Sequence, residues 1–286
     1  MTKKILITGK NSYIGRSFIE YCKKNEIDFE IDELDVRGEE WKSYDFTSYD
    51  SVFHVAGIAH NSSDPKLEDL YYKVNRDLTV AIAKKAKQDG VSQFIFMSSM
   101  IIFGNQPNGK TKITADTKPN PDNFYGDSKL QAEKGLQELE SENFKVVILR
   151  PPMIYGKGSK GNYPLLSKFA QKSPIFPDYP NKRSMLYIEN LSEFIRLMIV
   201  NDEKGTFHPQ NNELVQTSEM VRLIAEHHNN KVRFLKLGNP FINLFFSMNI
   251  IKKVFGDLYY DKSLSEYLKG QYQKNTLKES IAKTEG

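Results

Sequence analysis

Lys4-Ile-Leu-Ile-Thr8 runs directly into Gly9-Lys-Asn-Ser-Tyr-Ile-Gly15 and then into Arg16-Ser-Phe-Ile-Glu-Tyr-Cys22. The first segment is a short apolar run of the buried-strand kind, and the last reads as a helix. A strand, a glycine-bearing turn and a helix form a dinucleotide-binding arrangement. The turn lets backbone approach a pyrophosphate, and the helix start offers it unpaired N–H groups. Ser12 stands where a third glycine is usual. Serine is small and its hydroxyl can donate to a phosphate, but this loop alone also fits an ordinary βα turn.

Outward from that turn, the first half alternates strand patterns at 4–8, 28–34, 51–56, 93–98 and 145–150 with helical stretches near 13–24, 66–89 and 124–141. Such alternation predicts an α/β fold, a doubly wound parallel sheet of the Rossmann type with helices on both faces. Gly156 to Pro180 reads as an inserted loop and short-helix region, and Arg183-Ser-Met-Leu-Tyr-Ile188 as a return to the sheet. Asn190 to Val200 reads as a helix, and Thr217 or Ser218 is placed to cap another over Glu219 to His228. The tail from 257 onward is polar and carries little pattern. The expected organisation is a dinucleotide-binding domain of 1–150 plus about 184–204, with a smaller C-terminal substrate lobe from about 151–183 and 205–286.

Gln93-Phe-Ile-Phe-Met97 reads as a strand that ends in Ser98-Ser99. Ligands of open parallel sheets bind at the carboxyl ends of strands, so a hydroxyl there faces the cleft. Tyr125 and Lys129, in Phe124-Tyr-Gly-Asp-Ser-Lys129, project from one helix face about one turn apart. A free tyrosine titrates near pH ~10, too high for a base at neutral pH. An ammonium held beside it favours the phenolate and brings it toward the working range.

Composition narrows the classes. The chain has 286 residues, 39% of them hydrophobic and 27% charged, as in ordinary globular proteins. Its net charge of +4, with lysines and acids interspersed, leaves no nucleic-acid footprint. No run reaches the ~20 apolar residues that span a bilayer. The nearest, Pro240 to Ile251 before Lys252 and Lys253, reads as a helix packed on its own domain or on a partner subunit, with an interfacial helix as the alternative. Met1-Thr-Lys-Lys4 leaves no room for a signal peptide, and Cys22 has no disulfide partner, so a cytoplasmic location is expected. Cys22 itself reads as a packed thiol. The five histidines show no metal spacing, and no metal is expected. His60, just after Gly57, reads as a solvated loop residue, with the substrate cleft as its alternative.

In order along the chain stand Thr8-Gly-x-x-Ser-x-x-Gly15, Asp45-Phe46, His54-Val-Ala-Gly57, Val74-Asn75, Ser98-Ser99 with Phe103-Gly104, Tyr125-x-x-x-Lys129 and Arg150-Pro-Pro-Met-Ile-Tyr-Gly156. In that order the chain resembles the extended short-chain dehydrogenase/reductase family of nucleotide-sugar epimerases, dehydratases and ketoreductases, over roughly residues 2–200. The resemblance implies NAD or NADP as cofactor. Gly9, Asn11, Ser12, Tyr13, Ile14 and Gly15 would cradle its pyrophosphate. Asp32 and Asp35 both qualify to bind the adenosine ribose; Asp35 is preferred because Arg37 follows where the strand should end. An acid there favours NAD and an arginine accepts the extra phosphate of NADP, so the choice stays open.

By resemblance, Asp45 and Phe46 contact adenine, Ala56, Gly57 and Pro152 line the cofactor path, and Asn75 supports the active-site strand ends. Ser99 takes the catalytic hydroxyl position, with Ser98 as its fallback one residue away. Phe103 stands where a tyrosine is often found. Tyr125 would exchange a proton with the sugar oxygen that Ser99 also binds. Lys129 would hold the nicotinamide ribose and depress the tyrosine pKa.

Asn162, Tyr163 and Arg183 match positions that hold the nucleotide diphosphate, a task suited to an arginine fork. The Arg-x-Gly-Asp segment of many UDP-sugar epimerases does not follow Phe207-His-Pro-Gln-Asn211. The motifs over 151–188 and His208-Pro-Gln are closer to capsule-biosynthesis ketoreductases. The first expectation is therefore reduction of a 4-keto group on a UDP-linked 6-deoxy-N-acetylhexosamine. The second is reversible 4-epimerisation of a UDP-hexose or UDP-N-acetylhexosamine, and the third a cofactor-binding regulator without chemistry. A homodimer is compatible with all three.

Overall fold

Ile5, Leu6 and Ile7 are fully buried, because their strand lies inside a sheet covered on both faces. The computed structural model describes residues 2–59, 64–105, 109–236, 242, 244, 246 and 248–286. Its strands begin with β1 Lys3–Thr8, β2 Phe29–Leu34, β3 Ser51–His54, β4 Gln93–Met97, β5 Lys110–Ile113 and β6 Lys145–Leu149. They continue with β7 Met153–Tyr155, β8 Ile175–Pro177, β9 Met185–Tyr187, β10 Gly205–Phe207, β11 Arg233–Leu235 and β12 Asp257–Tyr260. The helices α1 Tyr13–Lys24, α2 Glu68–Tyr71, α3 Thr79–Gln88 and α4 Phe124–Gln137 lie in the first half. After them come α5 Asn162–Lys172, α6 Ile188–Val200, α7 Thr217–His227, α8 Asn249–Phe255 and α9 Leu277–Glu285.

The chain divides into two compact units. The first comprises Met1–Gly104, Lys118–Pro151 and Leu191–Pro209, and the second comprises Asn105–Thr117, Pro152–Asn190 and Gln210–Gly286. The first unit holds a six-stranded sheet in the order β10-β6-β4-β3-β1-β2, parallel throughout. This is the doubly wound arrangement expected from the alternation. One face buries Leu6, Val52, Phe94 and Val146 against Trp41, Phe46, Ile82, Ala86 and Leu136. Each fully buried side chain of that size contributes about 1.5–3 kcal/mol.

The later part of the chain departs from the sequence reading at several points. Met185–Tyr187 does not return to the central sheet; it pairs with β7, residue for residue from Met153↔Met185. The sixth strand is β10, three residues long and too short to carry a pattern. Neither Thr217 nor Ser218 caps α7. Gln216 holds the N-cap position, while the Thr217 hydroxyl donates to the Val254 carbonyl at 2.7 Å and that of Ser218 to Asp178 at 3.0 Å. The polar tail is ordered by long-range partners. β12 pairs with β5, the Tyr272 phenol donates to the Gln210 carbonyl at 3.0 Å, and a capping box of Thr276 and Glu279 starts α9. His60 lies outside the described residues, as do Pro240, Phe241, Asn243, Phe245 and Ser247. Among the described residues no helix is long and apolar enough to cross a membrane.

Candidate active site

The turn after β1 is shaped by positions where side chains will not fit. Gly9 has φ +123°, and a Cβ there would stand 2.8 Å from the Ala56 nitrogen. A Cβ on Gly15 would stand 2.7 Å from Ser12 Oγ and 3.0 Å from Ile7 Cγ2. The N–H groups of Gly9 and Lys10 both donate to the Leu34 carbonyl, and Asn11 takes the left-handed conformation at φ 64°. Ser12 caps α1, its Oγ accepting the Gly15 N–H at 3.1 Å, which leaves its own proton free to donate. Tyr13 and Ile14 are half-buried in the first turn, which holds no acid. The turn is thus a backbone cradle at a helix start, a fit for a pyrophosphate.

Asp35 lies just past the last residue of β2. Arg37 Nε donates to both of its oxygens at 3.0 Å, and this guanidinium holds the carboxyl well below the usual carboxylate range. Both groups are exposed. Asp32 lies within β2 and accepts the Tyr49 phenol at 2.8 Å. Asp45 accepts the Thr47 N–H at 2.9 Å. Phe46 corrects an expectation: its ring is fully buried in the core, and its N–H donates to Asp89 at 3.2 Å. A ring packed below the sheet cannot reach an adenine, so Asp45 alone of that pair remains for the base. The Ala56 N–H donates to the Thr8 carbonyl at 3.0 Å, tying the end of β3 to the turn.

At the end of β4 the two serines part. Ser98 is buried and bonded to Glu133. Ser99 starts the turn Met100–Phe103 and shares a hydrogen bond with Tyr125. Tyr125 enters from the second position of α4, whose first turn is capped by Asn123 accepting the Gly126 N–H at 3.0 Å. The Lys129 ammonium donates to the Met97 carbonyl at 2.8 Å and sits 4.7 Å from the Phe96 ring centre. Burial lowers its pKa to about 8, while Glu133 acts in the opposite direction. Burial pushes the Tyr125 phenol up to about 12; the Ser99 bond lowers it and Tyr71 raises it. Burial, Ser99 and Tyr71 set the shift of the phenol, while the Lys129 ammonium is bonded to the Met97 carbonyl.

Behind the cluster runs a polar layer. Asn75, fully buried, receives the Ile58 N–H at 2.8 Å and donates to the Ile58 carbonyl at 3.0 Å and to Ser128 Oγ at 3.2 Å. It sits in a π-helical stretch, Tyr72–Leu78, between α2 and α3, and its burial excludes a surface role. Thr79 donates to the Asn75 carbonyl at 2.9 Å, so His54 Nε2, 3.0 Å away, must be the donor to Thr79. His54 Nδ1 then accepts from Thr8 at 2.7 Å. Burial holds that imidazole neutral, with a pKa near about 3. Sequence reasoning missed Glu133 and Arg150, a bidentate pair at 2.6 and 3.1 Å with side chains 1% and 14% exposed. Its signal was available, since Glu133 continues the Tyr125–Lys129 face by another four residues.

The family model described as "NAD dependent epimerase/dehydratase family" matches residues 5–210, most of the chain. The chain belongs to that family. A UDP-glucose 4-epimerase of Vibrio cholerae is 30% identical, over 99% of this chain and 95% of that protein. An N-acetyl-alpha-D-glucosaminyl-diphospho-ditrans,octacis-undecaprenol 4-epimerase of Escherichia coli O157:H7 is 27% identical, over 91% and 83%. The crystal structure of UDP-glucuronic acid 4-epimerase from Bacillus cereus with NAD shares the fold, at TM-score 0.75 and 17% identity, covering 98% of this chain and 96% of that one. In this epimerase/dehydratase chain the cradle, Asp35 with Arg37, and the Ser99–Tyr125–Lys129 cluster all belong to the first unit.

Pro152, Asn162, Tyr163 and Arg183 belong to the second unit. Asn162 is exposed at the first position of α5, where the N-cap Gly161 provides no side-chain bond. Arg183 is half-buried and donates to the Gly256 carbonyl at 3.0 Å; burial lowers its pKa. Tyr163 is a correction. It is 3% exposed, stacks on Tyr155 with centres 5.3 Å apart, and donates to Glu285 at 2.7 Å. Its phenol is consumed by the C-terminal helix and is not free for a diphosphate.

Proposed function

We propose that this protein interconverts C4 epimers of a nucleotide-linked hexose or N-acetylhexosamine, with NAD or NADP as its cofactor. The observation that carries the reading is the hydrogen bond between Ser99, at a strand end, and Tyr125, with Lys129 one helical turn further. A bound cofactor supplies the hydride acceptor and donor at its nicotinamide. Gly9 to Gly15 would hold its pyrophosphate, Asp35 or Arg37 its adenosine ribose, Asp45 its base and Lys129 its nicotinamide ribose. Ala56, Gly57 and Pro152 would line its path. Tyr125 transfers the proton of the reacting hydroxyl and Ser99 orients the same oxygen. A phenol near 12 keeps its proton at neutral pH even with the Ser99 bond lowering it, so release would draw on the positive charge that an oxidised nicotinamide brings when bound. Asn162 and Arg183 of the second unit are assigned to the diphosphate.

Likeness to two 4-epimerases over nearly the whole chain supports this reading. A second reading, reduction of a 4-keto group on a UDP-linked 6-deoxy-N-acetylhexosamine, draws support from the motifs over 151–188 and the missing Arg-x-Gly-Asp segment. A regulator without chemistry would not need the Ser99–Tyr125 bond. The test is mass spectrometry and NMR of products from UDP-glucose, UDP-GlcNAc and its 4-keto-6-deoxy derivative. Isomeric products without added cofactor support the epimerase. Products two mass units heavier, formed with stoichiometric loss of NADPH or NADH, replace it with the reductase. Cofactor binding without turnover on any of the three leaves the regulator.

A further inference from the structure

The interspersion of charge fails in two segments. Positions 157–177 and 229–256 hold nine Lys and Arg and no Asp or Glu, over 49 positions where 36 acids in 286 residues would place about six. The fold joins the two segments. β8 and β11 pair in parallel, with Ile175 opposite Arg233 and Pro177 opposite Leu235. The Arg233 N–H donates to the Pro174 carbonyl at 2.8 Å and the Asn230 amide to the Ala170 carbonyl at 2.6 Å.

Alternate residues of a strand share a face. Phe176 and Phe234 turn inward with ring centres 6.3 Å apart, so Ile175, Arg233 and Leu235 share the outer face. Ile175 is 51% and Leu235 41% exposed. α5, which leads into β8, adds Leu165 at 65% and Phe169 at 42%, one turn apart, with Lys168 and Lys172 exposed beside them. The Phe169 ring lies 5.4 Å from that of Phe176, so α5 packs against the same strand pair. The nearest acid in sequence, Asp178, already accepts from Gln216 and Ser218 at 3.0 Å.

Aliphatic and aromatic side chains standing among lysines, in segments that hold no acid of their own, are the composition of a surface that lies on a bilayer. We propose that α5 and the outer side of β8–β11 form a docking surface for an anionic phospholipid membrane. Charge complementarity selects this partner. A second copy would bring like charge against like, and a nucleic acid would engage the cations without needing exposed Leu165 or Ile175. The surface stands apart from the proposed C4 chemistry, and its test reads binding rather than turnover.

The experiment is co-sedimentation of the full chain with phosphatidylcholine vesicles, with and without phosphatidylglycerol, at low salt. The wild type is expected to sediment with the anionic vesicles only. Each cation removed should weaken binding about fivefold, so K168E/K172E/R233E should lose about 100-fold or more. L165S/F169S should lose about tenfold or more while circular dichroism shows the fold retained. Failure to sediment, equal sedimentation with neutral vesicles, or wild-type binding by either variant overturns the proposal. So does gel filtration showing a dimer that L165S/F169S converts to a monomer.

Discussion

Tyr125 and Tyr163 each occupy the second position of a helix, α4 and α5, and each was expected to meet a substrate. Tyr125 remains partly exposed and bonds Ser99 at the end of β4. Tyr163 is 3% exposed and gives its phenol to Glu285, 122 residues further on. The two positions are locally alike, and the partners make the difference. Tyr125 meets a group presented by a parallel strand end, where such folds gather their ligands. Tyr163 meets a helix built from a tail without sequence pattern, and becomes part of a core.

The largest expected effect tests the Tyr125 side. Tyr125→Phe should lower kcat by about 10²–10⁴-fold while dinucleotide binding, followed by fluorescence titration, is unchanged. Equal loss of both would make Tyr125 a structural residue like Tyr163. Glu133→Ala should lower the unfolding free energy by about 3–5 kcal/mol in urea, because it strands the buried Arg150 guanidinium. E133L/R150M should recover part of that, since it removes the stranded guanidinium but still deprives Ser98 and Lys129 of the carboxylate. An unchanged midpoint for Glu133→Ala would show that the pair is not a support of this region.

A smaller effect is expected from Lys129. Its pKa falls from 10.5 in the free side chain to about 8 in the fold, so the native state binds this proton less tightly than the unfolded chain does. The cost of burying the ammonium is present in full below about pH 8 and is relieved as pH rises from there toward 10.5. Lys129→Met should remove this upward component of stability between those limits. Identical pH profiles for variant and wild type would refute the assignment. The smallest effect contrasts the second unit: Tyr163→Phe should cost about 1 kcal/mol of stability and leave KM unchanged. A raised KM at unaltered stability would return its phenol to the substrate and erase the contrast with Tyr125.

The first unit was legible because its information is local. An unbroken apolar run such as Lys4–Thr8 signals a strand covered on both faces, glycine and serine at fixed offsets signal the turn, and four-residue spacing puts Tyr125, Lys129 and Glu133 on one face. Tertiary structure alone decided which hydroxyls and charges those residues meet. Ser98 and Ser99 are neighbours of one residue type, separated in sequence only by the resemblance, yet one bonds Glu133 and the other Tyr125. Phe46, Tyr163 and the ammonium of Lys129 were drawn respectively into a core, to a distant carboxylate and onto a main-chain carbonyl. The sequence determined periodicity, and hence which face each residue occupies. Burial and polar pairing depend on partners tens to hundreds of positions away, and an unsatisfied buried group costs too much for its partner to be left to local propensity.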